Sequence, residues 1–173
     1  MSRQQLPRER TYEPFQKTNT EGQLVEREIA GHLYTGGFGV RRSNAGKHQD
    51  MLVWGEGLFH RVEVKCEKRQ RFVNVCVEFS QVPKSIGHRV PSGIAASSAN
   101  IWVHVFDEKI VAYIAASMRC WIDEQKATGA YRAIICGDRE NENVLVPISD
   151  IDGKLWSYVG PPRSISSSCI WSN

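Results

Sequence analysis

Asp50, followed after twelve residues by Glu63-Val64-Lys65, is the spacing in this chain that carries the most chemistry. Side chains alternate along a strand, so Glu63 and Lys65 project from one face while Val64 turns to the other. If Gly55-Glu56-Gly57-Leu58 forms a four-residue turn, Trp54 faces Phe59 and Asp50 stands opposite Glu63. A three-residue loop would set Asp50 opposite Val62 instead, so the arrangement requires the longer loop or a bulge near Asp50. Two neighbouring carboxylates repel unless a cation lies between them. Oxygen donors suit a hard ion. Mg²⁺, with Mn²⁺ as a substitute, takes one or two carboxylates, keeps several waters and completes its shell with phosphate oxygens. Such an ion lowers the pKa of a bound water and neutralises charge developing on a phosphodiester. Lys65 beside that water would orient it, assist its deprotonation or stabilise the pentacovalent phosphate; the pattern leaves these roles open.

Further groups fall around this centre. Glu26, on a preceding helix, is placed to reach the site as an outer ligand or water holder, with Glu28 as the competing choice. Glu78 stands on a third strand expected to neighbour the one bearing Glu63, which makes it a candidate metal-shell residue. Arg61, Lys65, Lys68, Arg69 and Arg71 crowd a short stretch with only Glu63 and Glu67 as acids, a pattern suited to phosphate contacts. Lys84, His88 and Arg89 lie in a later loop; Arg61, Lys84 and Arg89 are the candidate substrate-binding cations. His48, beside the Asp50 position, is a candidate accessory ligand.

The elements that must hold these groups can be read from periodicity. Thr20 with Gln23 fits a capping box, and Val25, Ile29 and Leu33 recur four apart, predicting an amphipathic helix over about 21–34 that stops at Gly36-Gly37. Gly36-Gly37-Phe38-Gly39 reads as helix stop and flexible turn. Residues 51–54 and 58–66 read as a β-hairpin, and Val73, Val75, Val77 and Phe79 as the apolar face of a third strand. Pro83, Gly87 and Pro91 mark a loop, and 92–99 a short helix. Residues 101–106 and 110–115 are two apolar strands, 118–126 a second helix closed by Gly129, and 133–136 with 144–148 a weaker hairpin. This order predicts one mixed α/β sheet with helices on its faces.

Composition narrows the alternatives. A chain of 173 residues with 41% hydrophobic and 24% charged residues suits one ordinary domain. We read it as an arm at 1–17, a domain at 18–160 and a Ser-rich tail at 161–173. Nothing in the sequence suits a membrane span or a secretory signal, so the chain is expected in the cytoplasm with no membrane partner. The five Cys form no CxxC pair, which argues against a disulfide framework and a zinc ribbon. Formal net charge is only +3, so the position of the cations matters more than their sum. No phosphate loop, dinucleotide fingerprint or GxSxG elbow appears. The five Trp are spread too widely along the chain to make an obvious base-stacking platform.

Asp50 with Glu63-Val64-Lys65 resembles the D...ExK signature of the PD-(D/E)xK nuclease superfamily, and a preceding helix with Glu26 is similar to that family's first-helix acid. Val77-Glu78-Phe79-Ser80, Ser92-Gly93-Ile94 and Ala99-Asn100-Ile101-Trp102 resemble a phage-type, Holliday-junction-resolvase-like group within it. Gln49 stands where the family name implies Pro, and Asn100 where the phage-type group would carry an acid. The resemblance covers about residues 20–150 and implies a restriction-endonuclease-like core with a central mixed β-sheet flanked by helices. It also implies a Mg²⁺-dependent deoxyribonuclease with Asp50 and Glu63 as metal ligands and Glu26, Lys65 and Glu78 as further catalytic groups. DNA is the implied partner, with branched or recombination-intermediate forms as the implied substrates. A homodimer would pair two sites. The alternative is a DNA-binding module that keeps the fold without activity.

Overall fold

A computed structural model of the chain describes residues 15–43, 49–55, 57–67, 73–106, 109–136, 140–152 and 157–160. The arm up to residue 14, the tail from 161, and the candidates His48, Lys68, Arg69 and Arg71 lie outside the described residues.

Helix α1 runs Phe15–Thr35 and buries Val25, Ile29 and Leu33, the stripe its periodicity predicts. It starts earlier than the Thr20 capping signal suggested. A cap contributes only about 1 kcal/mol, and no Gly or Pro interrupts residues 15–21 to stop the helix there. Its end is as expected: Gly36 N–H donates to His32 O and Gly37 adopts φ +94°.

After this stop the chain makes a strand where a flexible turn was expected. β1 (Gly39–Arg42), β2 (Met51–Gly55) and β3 (Leu58–Cys66) form an antiparallel meander. β1 escaped notice because it is short and begins at a glycine. That glycine has a packing role: a Cβ on Gly39 would collide with the indole of Trp54, its cross-strand partner. β6 (Ile101–Val105) joins β3 in parallel, followed by antiparallel β7 (Ile110–Ile114) and β10 (Ser157–Gly160). The central sheet is therefore mixed and six-stranded, in the order β1-β2-β3-β6-β7-β10.

The third predicted strand is not part of it. β4 (Asn74–Gln81) belongs to a separate antiparallel sheet, β5-β4-β9-β8, with β5 (Val90–Pro91), β8 (Ala133–Cys136) and β9 (Asn141–Pro147). A short 3₁₀ turn at Gly93–Ala95 replaces the helix expected over 92–99. Helix α2 spans Ala115–Thr128 and ends at Gly129 with φ +72°; the four-residue α3 covers Ile148–Ile151.

Two cores follow from the alternation of the central strands. On one face α1 packs Val25, Ile29 and Leu33 onto Met51, Val53, Val62, Val64 and Val103. On the other, Trp102, Phe106, Val111 and Tyr113 meet Val75, Val77, Val144 and Val146 of the second sheet and Met118 and Ile122 of α2. The fold is thus α/β around a mixed central sheet, with helices on both sides and the second sheet sharing one of them. This sheet covers β6 and β7. At the tip of the β2–β3 hairpin the same face is open, with Trp54 45% and Phe59 59% exposed. Among the described residues no helix is long and apolar enough to cross a membrane.

Candidate active site

The hairpin has the register that sets Asp50 opposite Glu63, with Met51 opposite Val62 and Trp54 opposite Phe59. Its turn is tighter than four residues, because Gly55 still pairs with Leu58. Gly57 takes φ +80° there, a conformation that favours glycine.

Regular pairing ends at Met51, and Asp50 uses its side chain to continue it. The Asp50 amide donates to Val62 O at 2.9 Å, while Asp50 Oδ2 accepts the Val64 N–H at 2.7 Å. On the other side Ser43 N–H donates to Asp50 O at 2.8 Å. The carboxylate therefore stands in for a strand carbonyl and is pinned beside the Glu63–Val64 peptide.

Burial, then the nearby Glu63 carboxylate, push the Asp50 carboxyl up from its ordinary 3.8 to about 6. The Val64 hydrogen bond opposes them, Glu26 adds a smaller upward push, and Lys65 a smaller downward one. Glu63, Glu26 and Lys65 thus all act electrostatically on Asp50.

Glu63 and Lys65 share a face, as strand alternation requires. Lys65 Nζ donates to Glu63 Oε1 at 2.6 Å and lies 5.2 Å from the centre of the Trp102 ring. Trp102 is Glu63's neighbour on β6 and sets the floor on which the lysine rests.

Of the two helix acids, Glu26 is the one drawn to the site. It accepts a 2.6 Å hydrogen bond from Arg42 Nη2 on β1 and contributes to the field at Asp50. Glu28 faces His32 at 3.9 Å, one helical turn on, and is half exposed.

The donor set fits a hard divalent cation. Asp50 and Glu63 offer only oxygens and are partly buried, and their repulsion is what an ion would relieve. Among the described residues no group of three or more His, Cys, Asp or Glu is arranged as a metal cage. Two carboxylates, with the remaining positions left to water and substrate oxygens, match the habit of Mg²⁺.

Other sequence candidates lie elsewhere. Glu78 is on the second sheet, so its strand does not neighbour β3; Val75 and Val77 face the central sheet while Glu78 alternates away from them. Its Oε2 accepts a hydrogen bond from Asn141 at 3.1 Å. Alternation revealed a strand at Val73–Phe79, but nothing local specified which sheet it joins. Arg89 is engaged within the second sheet, donating to Ser80 Oγ at 2.9 Å and lying 3.6 Å from Glu142. Glu142 in turn accepts from Ser80 and Tyr131, which hold its carboxyl below the ordinary carboxylate range. Lys84 occupies the exposed turn after β4.

Arg61, by contrast, is two residues before Glu63 on β3, on the same face. Its backbone is clamped by Asn100, whose Oδ1 accepts the Arg61 N–H at 2.6 Å and whose own N–H donates to Arg61 O at 2.9 Å. Asn100 therefore holds the junction of β3 and β6.

Sequence reading also missed a buried polar chain next to Lys65. His104, its partner on β6, is fully buried, with Nδ1 3.1 Å from Glu67 Oε1 and Nε2 2.8 Å from Tyr113 Oη. Burial lowers the His104 pKa and raises that of Tyr113 well above the ordinary phenol range. The signal available was a histidine at an inward position of an otherwise apolar strand.

No protein-family model matches the chain, and no curated protein matches it. Among solved structures, that of the bacterial homing endonuclease I-Ssp6803I is similar over 57% of this chain and 69% of its own, with 17% identity and a TM-score of 0.45. At that level of likeness the chemistry rests on the residues just described.

Proposed function

We propose that this protein is a Mg²⁺-dependent DNA nuclease that hydrolyses phosphodiester bonds at the open face of β2 and β3. The observation that carries this reading is the pinning of the Asp50 carboxylate beside Glu63, whose own carboxylate holds Lys65 Nζ at 2.6 Å. Asp50 and Glu63 would hold the ion. When bound, the ion supplies an acidified water and charge neutralisation at the phosphate. Lys65, steadied by Glu63 beside it and Trp102 beneath, presents an amine donor to that water or to a phosphoryl oxygen. Arg61 offers a guanidinium to the next phosphate along the strand. Glu26 keeps Arg42 in place and adds negative charge behind Asp50. Cutting both strands of a duplex calls for two such sites, which a two-fold homodimer supplies.

The test is cleavage by the full chain of labelled duplex, single strand and four-way junction, in Mg²⁺, in Mn²⁺ and in EDTA. Cutting in either metal, abolished by EDTA and reduced on the order of 100-fold or more by Asp50→Asn, Glu63→Gln or Lys65→Ala, is the expected result. Tight DNA binding with no cutting of any form would instead favour a non-catalytic DNA-binding module.

A further inference from the structure

The face of the β1–β3 meander that carries Glu63 is organised in rows. Asp50 and Glu63 form the row at one end. The next row is Arg41, Leu52 and Arg61, which are cross-strand partners, and the row beyond is Gly39, Trp54 and Phe59. Arg41 and Arg61 are exposed, and so are Trp54 and Phe59. One surface thus runs from acids through guanidiniums to a pair of aromatic rings, a juxtaposition that the wide spacing of the tryptophans conceals because Phe59 supplies the second ring.

The Trp54 indole lies across the backbone at Gly39, where no Cβ could be accommodated, an arrangement that fixes its orientation. Phe59 has no such covering role and is 59% exposed. Neither ring is under the second sheet, whose apolar residues meet Trp102, Phe106 and Tyr113 instead.

We propose that Trp54 and Phe59 form a stacking platform for unpaired bases, so that the substrate is DNA with single-stranded nucleotides beside the scissile phosphate. This rests on the nuclease reading above and names the substrate class of that site. Phe59 and Glu63 are four residues apart on one strand, roughly 13 Å at about 3.3 Å per residue. That distance leads from the reacting phosphate to a base a few nucleotides away, with Arg41 and Arg61 between them to hold the intervening phosphates. Bases in a duplex are stacked on each other and turn their faces away from side chains. Unpaired bases present a π-face to an aromatic ring, and charge complementarity in the neighbouring row makes a nucleic-acid strand the occupant that fits both features.

Binding of the full chain, with Ca²⁺ in place of Mg²⁺, is measured by anisotropy for a blunt duplex, the same duplex with a single-stranded overhang, and a single strand. Wild type is expected to prefer the two forms with unpaired bases. Phe59→Leu, which keeps apolar bulk but loses the flat ring, should weaken binding to them by about 5- to 100-fold and change blunt-duplex affinity less than twofold. Phe59→Tyr should retain wild-type preference, and Trp54→Leu should behave as Phe59→Leu. The proposal is overturned if Phe59→Leu matches wild type on every form, if it weakens all forms equally, or if its only effect is to dissolve a self-associated species seen by sedimentation. Lys65→Ala separates the two readings. Cleavage lost in Lys65→Ala with unchanged binding in Phe59→Leu rejects the platform alone, whereas ring-dependent binding with no cutting by any variant rejects the nuclease alone.

Discussion

One face of one sheet is treated in two ways along its width. Over β6 and β7 the second sheet and α2 close it, and the polar groups there, Glu67, His104 and Tyr113, bond to one another. Over β1–β3 it is open, and its charged groups answer to each other and to whatever enters from solvent. Glu63 and Trp102 are register partners on adjacent parallel strands, so the border between the two treatments is one strand wide. The contrast separates support from chemistry: the closed half fixes the floor under Lys65, and the open half exposes Arg41 and Arg61 beside the partly buried Asp50 and Glu63.

Substitutions should break the two halves differently. Trp102→Ala removes the largest buried side chain of the closed half and should cost about 3–5 kcal/mol in urea unfolding, along with the ring beneath Lys65. Tyr113→Phe leaves the buried His104 ring without its Nε2 partner and should cost about 1–3 kcal/mol, measured the same way. A loss below about 0.5 kcal/mol for either would mean that the closed half is less tightly built than its burial implies.

In the open half the sign reverses. The folded Asp50 carboxyl, at about 6 against 3.8, binds its proton more tightly than the unfolded chain does. Without metal, the contribution of Asp50 to stability is therefore fully present below about pH 4 and is lost, by about 2–3 kcal/mol, as pH rises through about 6. Asp50→Asn retains an acceptor for Val64 N–H and should flatten that profile, making the metal-free variant more stable than wild type at pH 7.5. Chemical denaturation of both proteins in EDTA across pH 4–8 checks this; a wild-type-minus-variant difference that stays constant or rises with pH over that range would contradict it. The smallest effect sharpens the choice of helix acid. Glu28→Gln should change stability by less than about 0.5 kcal/mol and leave cleavage unaltered, whereas Glu26→Gln frees Arg42 and should alter the metal concentration needed for cutting.

Residues whose placement depends on local pattern are legible in the sequence. The Glu63–Lys65 face and the Gly36-Gly37 stop follow from alternation and a left-handed cap, whereas the Met51–Val62 register was one of two that the turn residues allowed. What could not be read depends on non-local packing. The Val73–Phe79 alternation announces a strand equally well in either sheet, and only the fit of Val75 and Val77 against Trp102 and Tyr113 assigns it to the second. Arg89 looked available as a phosphate ligand because Glu142, which neutralises it, lies far along the chain. Asp50's use of its side chain as a substitute strand acceptor likewise depends on where the ladder stops, which no turn rule specifies.

On the proposed function, Asp50 and Glu63 together hold one hard divalent ion. Mn²⁺ uptake by the full chain, counted by electron paramagnetic resonance, addresses it without reference to cutting. Wild type should show one site that weakens at least tenfold in both Asp50→Asn and Glu63→Gln while Glu28→Gln retains it. Equal uptake by all four proteins, or none by the wild type even with DNA present, would contradict it.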